Sequence, residues 1–81
     1  MDIVHTGKIA AVYPEGEAYM EYEIAGGTLT VMHTRVPDAL SGRGLAGELA
    51  KRVAAFAKDA GLALASECMY MTAWLEKHPQ W

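Results

Sequence analysis

The sequence predicts one α/β (α+β) domain over residues 1–81: a mixed, mostly antiparallel sheet packed by one long helix and a short C-terminal helix, in the order β-β-β-α-β-α. Three observations carry that expectation. Residues 17–25 alternate polar and apolar with period two. From Gly44 to Ala60 apolar residues return every three or four positions. Between the two regimes lies a proline- and glycine-bearing hinge, Pro37 to Gly44.

The elements follow in order. "KIAAVY" at 8–13 reads as a first strand, and "PEGE" at 14–17 as its turn. In the second strand Ala18, Met20, Tyr22 and Ile24 share one face, while Glu17, Tyr19, Glu21 and Glu23 share the other. Gly26-Gly27 supplies the positive φ of a two-residue hairpin. "TLTVMHTRV" is rich in β-branched residues and completes an antiparallel meander. In the long helix Leu45, Leu49, Val53, Phe56 and Ala60 form the expected apolar stripe, with Glu48 and Arg52 a favourable i,i+4 pair on the wet side. Gly61 is placed to end it in the left-handed conformation. "LALA" at 62–65 is a short buried strand, reached by a right-handed crossover over residues 29–65. A last helix covers roughly residues 70–77 and stops before Pro79.

Composition narrows the classes of function. The chain is 52% hydrophobic and 21% charged, which is globular. Seven Lys+Arg against ten Asp+Glu give a net charge of −3, and nucleic-acid binding wants a basic face instead. Cys68 is the single cysteine, so no internal disulfide can form and a reducing compartment suits the chain. The start shows neither a basic n-region nor an apolar core, and no run approaches the about 20 apolar residues of a membrane span. A soluble, cytoplasmic protein is expected. Cys68, His5, His33 and His78 lack paired ligand spacing, so no metal site is expected.

"LSGRGLAG" at 40–47 raises the functional question. A helix that opens on a glycine turn presents unpaired N–H groups and the positive end of its dipole, and glycine lets an anion approach the main chain. Arg43 places a full charge in the same turn. The bland alternative is a sharp turn with a solvated arginine. Gly42 to Gly47 also spells G-x-G-x-x-G, but a dinucleotide fold needs far more chain than 81 residues. No Gly-Lys-Ser/Thr is present for a nucleoside-triphosphate loop.

Around this loop the residues line up as a longer pattern. His33, Thr34, Val36 and Pro37 close a strand; Gly42, Gly44 and Ala46 form the loop; Cys68-x-Tyr70 and Pro79-x-Trp81 follow downstream. In that order residues 33–81 resemble the small, single-domain GNAT-like N-acetyltransferases. Two positions depart from the family's pattern: Ser41, where a longer Arg or Gln is usual, and Ser66, where proline is common. The second departure bears on the path of the fourth strand.

The resemblance implies acetyl-CoA as cofactor. Its diphosphate would rest on Gly42, Arg43, Gly44, Leu45 and Ala46, and its pantetheine arm on a free edge of the third strand near Thr34, Arg35 and Val36. Tyr70 would border the same site. Cys68 and His33 are the catalytic candidates the resemblance points to: a thiol that takes the acetyl group, and an imidazole base. Direct transfer to the amine with Cys68 only lining the pocket is equally open, as is packing for each of these residues. Glu17, Glu21 and Glu23 could draw a cationic amine or simply be solvated. The expectation is an acetyl-CoA-dependent N-acetyltransferase acting on a primary amine of a small molecule or protein. The alternative is a CoA-binding or protein-interaction module with little or no catalysis. Aromatics on so small a domain also allow two copies to pair.

Overall fold

The computed structural model describes residues 5–81. Strands β1 (His5–Tyr13), β2 (Gly16–Ala25) and β3 (Thr28–Arg35) lead through a single 3-10 turn, Asp38–Leu40, into helix α1 (Leu45–Asp59); β4 (Ala63–Ser66) and α2 (Met69–Lys77) follow. The sheet order is β1-β2-β3-β4, antiparallel through β3 and parallel between β3 and β4. The predicted order and mixed sheet are those observed.

Local chemistry explains the joints. Gly26 and Gly27 have φ of 58° and 78°, the left-handed pair that lets a two-residue turn match the twist of its strands. β1 starts earlier than its apolar run because β2 is long enough to pair with it back to Ile24↔His5. A Cβ at position 7 would sit 2.5 Å from the tip of the Tyr22 ring, so any larger residue there would have to push that ring aside. Tyr22 lies across that gap and tilts against Phe56 of α1 at 5.9 Å.

Helix α1 departs from the expected stripe. Leu49, Ala50, Val53, Ala54 and Ala57 are its buried residues, while Phe56 is 40% exposed. Alanines at the centre of the contact let the helix approach the sheet closely, which rolls the larger ring to the flank. The helix ends as anticipated: Gly61 has φ 71°, and the N–H groups of Leu62 and Gly61 return to the carbonyls of Ala57 (2.8 Å) and Lys58 (3.1 Å). That is the Schellman arrangement, and it satisfies two carbonyls of the last turn.

Two irregularities shape the end of the sheet where the loop lies. Between Glu21 and Tyr22 the β2–β3 register slips, so Tyr22 opposes Val31 and Glu21 opposes His33, leaving Met32 as the extra residue of a bulge. Bulges bend the strand that carries them. β4 pairs only with Thr28 to Val31 and then turns away, Glu67 N–H closing the ladder on Val31 O at 2.8 Å. Past Val31, β3 therefore runs on to Arg35 without a β4 partner. The turn Asp38–Leu40 then drops a fully buried Leu40 into the core beneath the loop. No helix among the described residues is long and apolar enough to cross a membrane.

Candidate functional site

The glycine loop is held open by its own backbone. Gly42 and Gly44 have φ of 80° and 73°, and a Cβ built on either meets nothing within 4 Å. Packing does not require glycine here; the left-handed backbone does, and the space beside it stays clear. Leu40 and Ser41 donate to the carbonyls of Pro37 and Asp38 at 2.9 and 3.1 Å, and the next amide to donate within the backbone is Glu48, to Gly44 at 3.1 Å. The six amides from Gly42 to Gly47 have no acceptor among the described residues. A serine or aspartate at the N-cap would occupy one of them with its own side chain, but the N-cap is Gly44.

These donors fit a diphosphate. They lie in a turn with no carboxylate between Ser41 and Gly47, at the positive end of a 15-residue helix. A cavity of about 280 Å³ opens against them, lined by Val36, Leu40, Gly42, Gly44, Ala46 and Tyr70 among others. Leu45 also lines it. Tyr70 stands at this end of the site: its hydroxyl lies 3.4 Å from where a Cβ on Gly47 would be. A larger side chain at position 47 would crowd it.

Arg43 turns elsewhere. Its guanidinium binds Glu15 Oε2 at 3.0 Å and lies 5.8 Å from the centre of the Tyr13 ring. The hydrogen bond from Arg43 is the main reason the Glu15 carboxyl is held below its usual range. Arg43 thus straps the loop to the β1–β2 turn, its charge directed at Glu15 rather than at the loop amides. Ser41 is engaged too, its Oγ donating to Asp38 O at 2.8 Å.

The opening beyond Val31 holds the second half of the candidate site. Cys68 sits at the N-cap of α2, half-buried, and its Sγ donates to Thr34 Oγ1 at 3.2 Å. Cross-strand partners share a face, so Thr34, opposite the fully buried Met20, belongs to the helix side of the sheet. His33, opposite Glu21, belongs to the other side, where its ring tilts against Tyr19 at 6.2 Å. Cys68 and Thr34 are brought together; Cys68 and His33 are not. Arg35 is exposed, opposite Tyr19 on the same outer face. There Lys8 pairs with Glu17 at 3.0 Å, so that carboxylate is already engaged.

Ser66 was not singled out for chemistry by sequence reasoning, yet it fixes Cys68. Its Oγ donates to Cys68 O (2.8 Å) and accepts from Cys68 N–H (3.1 Å) and Thr72 Oγ1 (3.0 Å). β4 runs to Ser66, and the serine makes the turn into α2. The signal was present as Ser-x-Cys followed by Thr72, a spacing that suits a strand-to-helix turn. No group of three or more metal-ligating side chains gathers among the described residues.

Comparison with known proteins points in one direction. A family model described as GCN5-related N-acetyl-transferase matches residues 9–81. The chain is similar to Protein NATD1 of Xenopus tropicalis, 36% identical over 63 residues, which is 76% of this chain and 58% of the relative. The chain thus covers little more than half of that relative's length. No solved structure matches.

Proposed function

The chain belongs to the GCN5-related N-acetyltransferase family, and on that premise we propose that it moves an acetyl group from acetyl-CoA to a primary amine. One observation carries the reading: among the described residues, six successive amides at the start of α1 are left without a partner, around two glycines whose open side no atom fills. When bound, acetyl-CoA supplies an acetyl group activated as a thioester.

Each part of the chain has a task in this reading. The amides of Gly42 to Gly47 grip the diphosphate, with Leu40 holding the turn in place from below. Val36 lines the way to the stretch of β3 that β4 leaves unpaired, where main-chain groups near Thr34 and Arg35 can pair with the amides of a pantetheine arm as an added strand does. Cys68 lines the thioester end of this path, its Sγ directed at Thr34 Oγ1. Tyr70 serves the diphosphate end, because its hydroxyl lies by Gly47.

Direct transfer fits this arrangement better than a cysteinyl intermediate. A cysteine nucleophile wants a base beside it, whereas the partner of Cys68 is a threonine hydroxyl and His33 faces the other side of the sheet. Cys68→Ala should keep turnover within a few-fold; an acetyl group found on Cys68 by mass spectrometry during turnover would contradict this. The placement of His33 also favours a second reading, a CoA-binding module without catalysis. Mixing the protein with acetyl-CoA and a panel of amines while following thiol release separates the two. The acceptor expected is a small molecule or a protein carrying a primary amine. Calorimetric titration with CoA tests the shared premise, and no binding up to millimolar concentration removes both readings.

A further inference from the structure

A second cavity, of about 480 Å³, borders the same loop from its other side and shares Gly44 and Gly47 with the first. It lies between the first turns of α1, with Lys51, and the aromatic end of the chain, where Trp74, His78 and Trp81 form its wall. Resting on the acetyl-CoA reading, we propose that this cavity takes the nucleotide end of CoA, the adenine lying against Trp81 and His78 and the 3′-phosphate meeting Lys51.

Geometry and chemistry agree on that occupant. A diphosphate on the loop has two substituents, and two cavities with otherwise different walls meet at Gly44 and Gly47. One leads past Val36 toward β3; the other ends in rings. Its volume falls in the range of about 300–1,000 Å³ usual for small-molecule sites. The rings are fixed in place before any ligand arrives. His78 stacks on Trp74 with centroids 4.2 Å apart and 21° between planes, and its Nδ1 lies 2.8 Å from Trp74 O. Trp81 is set 6.5 Å from Trp74 and tied back by its N–H to His78 O at 3.1 Å. Lys58 lies 5.4 Å from the centre of the Trp81 ring. Trp74 is the buried floor, while His78 and Trp81 keep partly open surface. A base gains most by lying on such pre-set rings, because little side-chain freedom is left to lose.

The charges are also arranged for a phosphate. Lys51 is exposed and makes no ion pair among the described residues, so its ammonium is free to meet an anion. Glu48 is the one acidic side chain on the wall, and Arg52 stands 3.7 Å from it. Gln80 adds an amide that can address the edge of a base.

The chain's two tryptophans both line this cavity, so intrinsic fluorescence reports on it directly. The test compares CoA, 3′-dephospho-CoA and 4′-phosphopantetheine by calorimetry and by tryptophan quenching. CoA and dephospho-CoA should quench; phosphopantetheine should leave the emission unchanged and bind about ten-fold more weakly than CoA. Lys51→Ala should weaken CoA to the level of dephospho-CoA while leaving dephospho-CoA itself unaffected, a pattern that general loss of structure does not produce. Trp81→Ala should reduce the advantage of CoA over phosphopantetheine. If phosphopantetheine binds as tightly as CoA, the inference is overturned and the acetyl-CoA reading stands. If none of the three binds, both are overturned.

Discussion

Two glycine pairs in this chain share a conformation and differ in what surrounds it. Gly26-Gly27 and Gly42/Gly44 all have left-handed φ, and a Cβ on any of them would meet open space. At the hairpin the glycines only join two strands: Ala25↔Thr28 closes the β2–β3 pair, Gly27 O accepts Ala63 N–H at 3.0 Å at the start of β4, and just the two turn amides stay open. At the loop, six amides in a row are bonded to nothing among the described residues. Positive φ alone is therefore no sign of a ligand. Nor is an open helix start, since every helix has one. At α2 the run is Met69 to Met71, because Cys68 N–H is taken by Ser66 Oγ at 3.1 Å, whereas at α1 it extends back through the glycine turn to Gly42.

The largest effect should come from Gly44→Glu, which puts a carboxylate where the anion belongs. CoA affinity by calorimetry should fall by at least about 100-fold, while Gly27→Ala should leave affinity unchanged and cost about 1 kcal/mol of stability. Equal loss of CoA binding in both variants would erase the contrast. Leu40→Ala probes the support under the loop, for which the hairpin has no counterpart. Removing this fully buried side chain should cost about 3 kcal/mol in denaturant unfolding and weaken CoA as the turn loosens. A full stability loss with unchanged affinity would show that the loop holds its shape unaided.

Legibility in the sequence followed the same division. β2, the Gly26-Gly27 hairpin, α1 and its Gly61 ending could be read because period and turn chemistry are local. The bulge at Met32, the turn Asp38–Leu40 and the outward Phe56 could not, since each is decided by packing against a distant element. The loop was visible as a string, and its open amides follow from the glycine N-cap. The partners of its neighbours were not: Arg43 meets Glu15 across 28 residues, and Cys68 meets Thr34 across 34. The same limit applies to His33, adjacent to Thr34 in sequence and on the opposite face of the sheet.

Smaller changes sharpen the picture around the loop. Ser66→Ala removes the bonds on both sides of Cys68 and should cost about 1 kcal/mol of stability, read by thermal melting, with Cys68 becoming faster to react with a thiol reagent. Unchanged reactivity would mean that Thr34 alone positions the thiol. Glu15→Gln tests the strap. Because Arg43 lowers the folded carboxyl's pKa, the pair adds stability above the ordinary carboxylate range and loses it as pH falls through the lowered value. Both groups are largely exposed, so the difference in melting temperature between wild type and Glu15→Gln should be small at neutral pH, shrink in salt and vanish in acid. A difference that grows as pH falls would contradict the pairing.

The most direct measurement is a titration of ¹⁵N-labelled protein with CoA, followed by amide resonances. The account predicts that the amides of Gly42 to Gly47 show the largest downfield shifts, as donors that gain an acceptor, while Gly26 and Gly27 stay in place. Binding that moves other amides and leaves this run unchanged would contradict it.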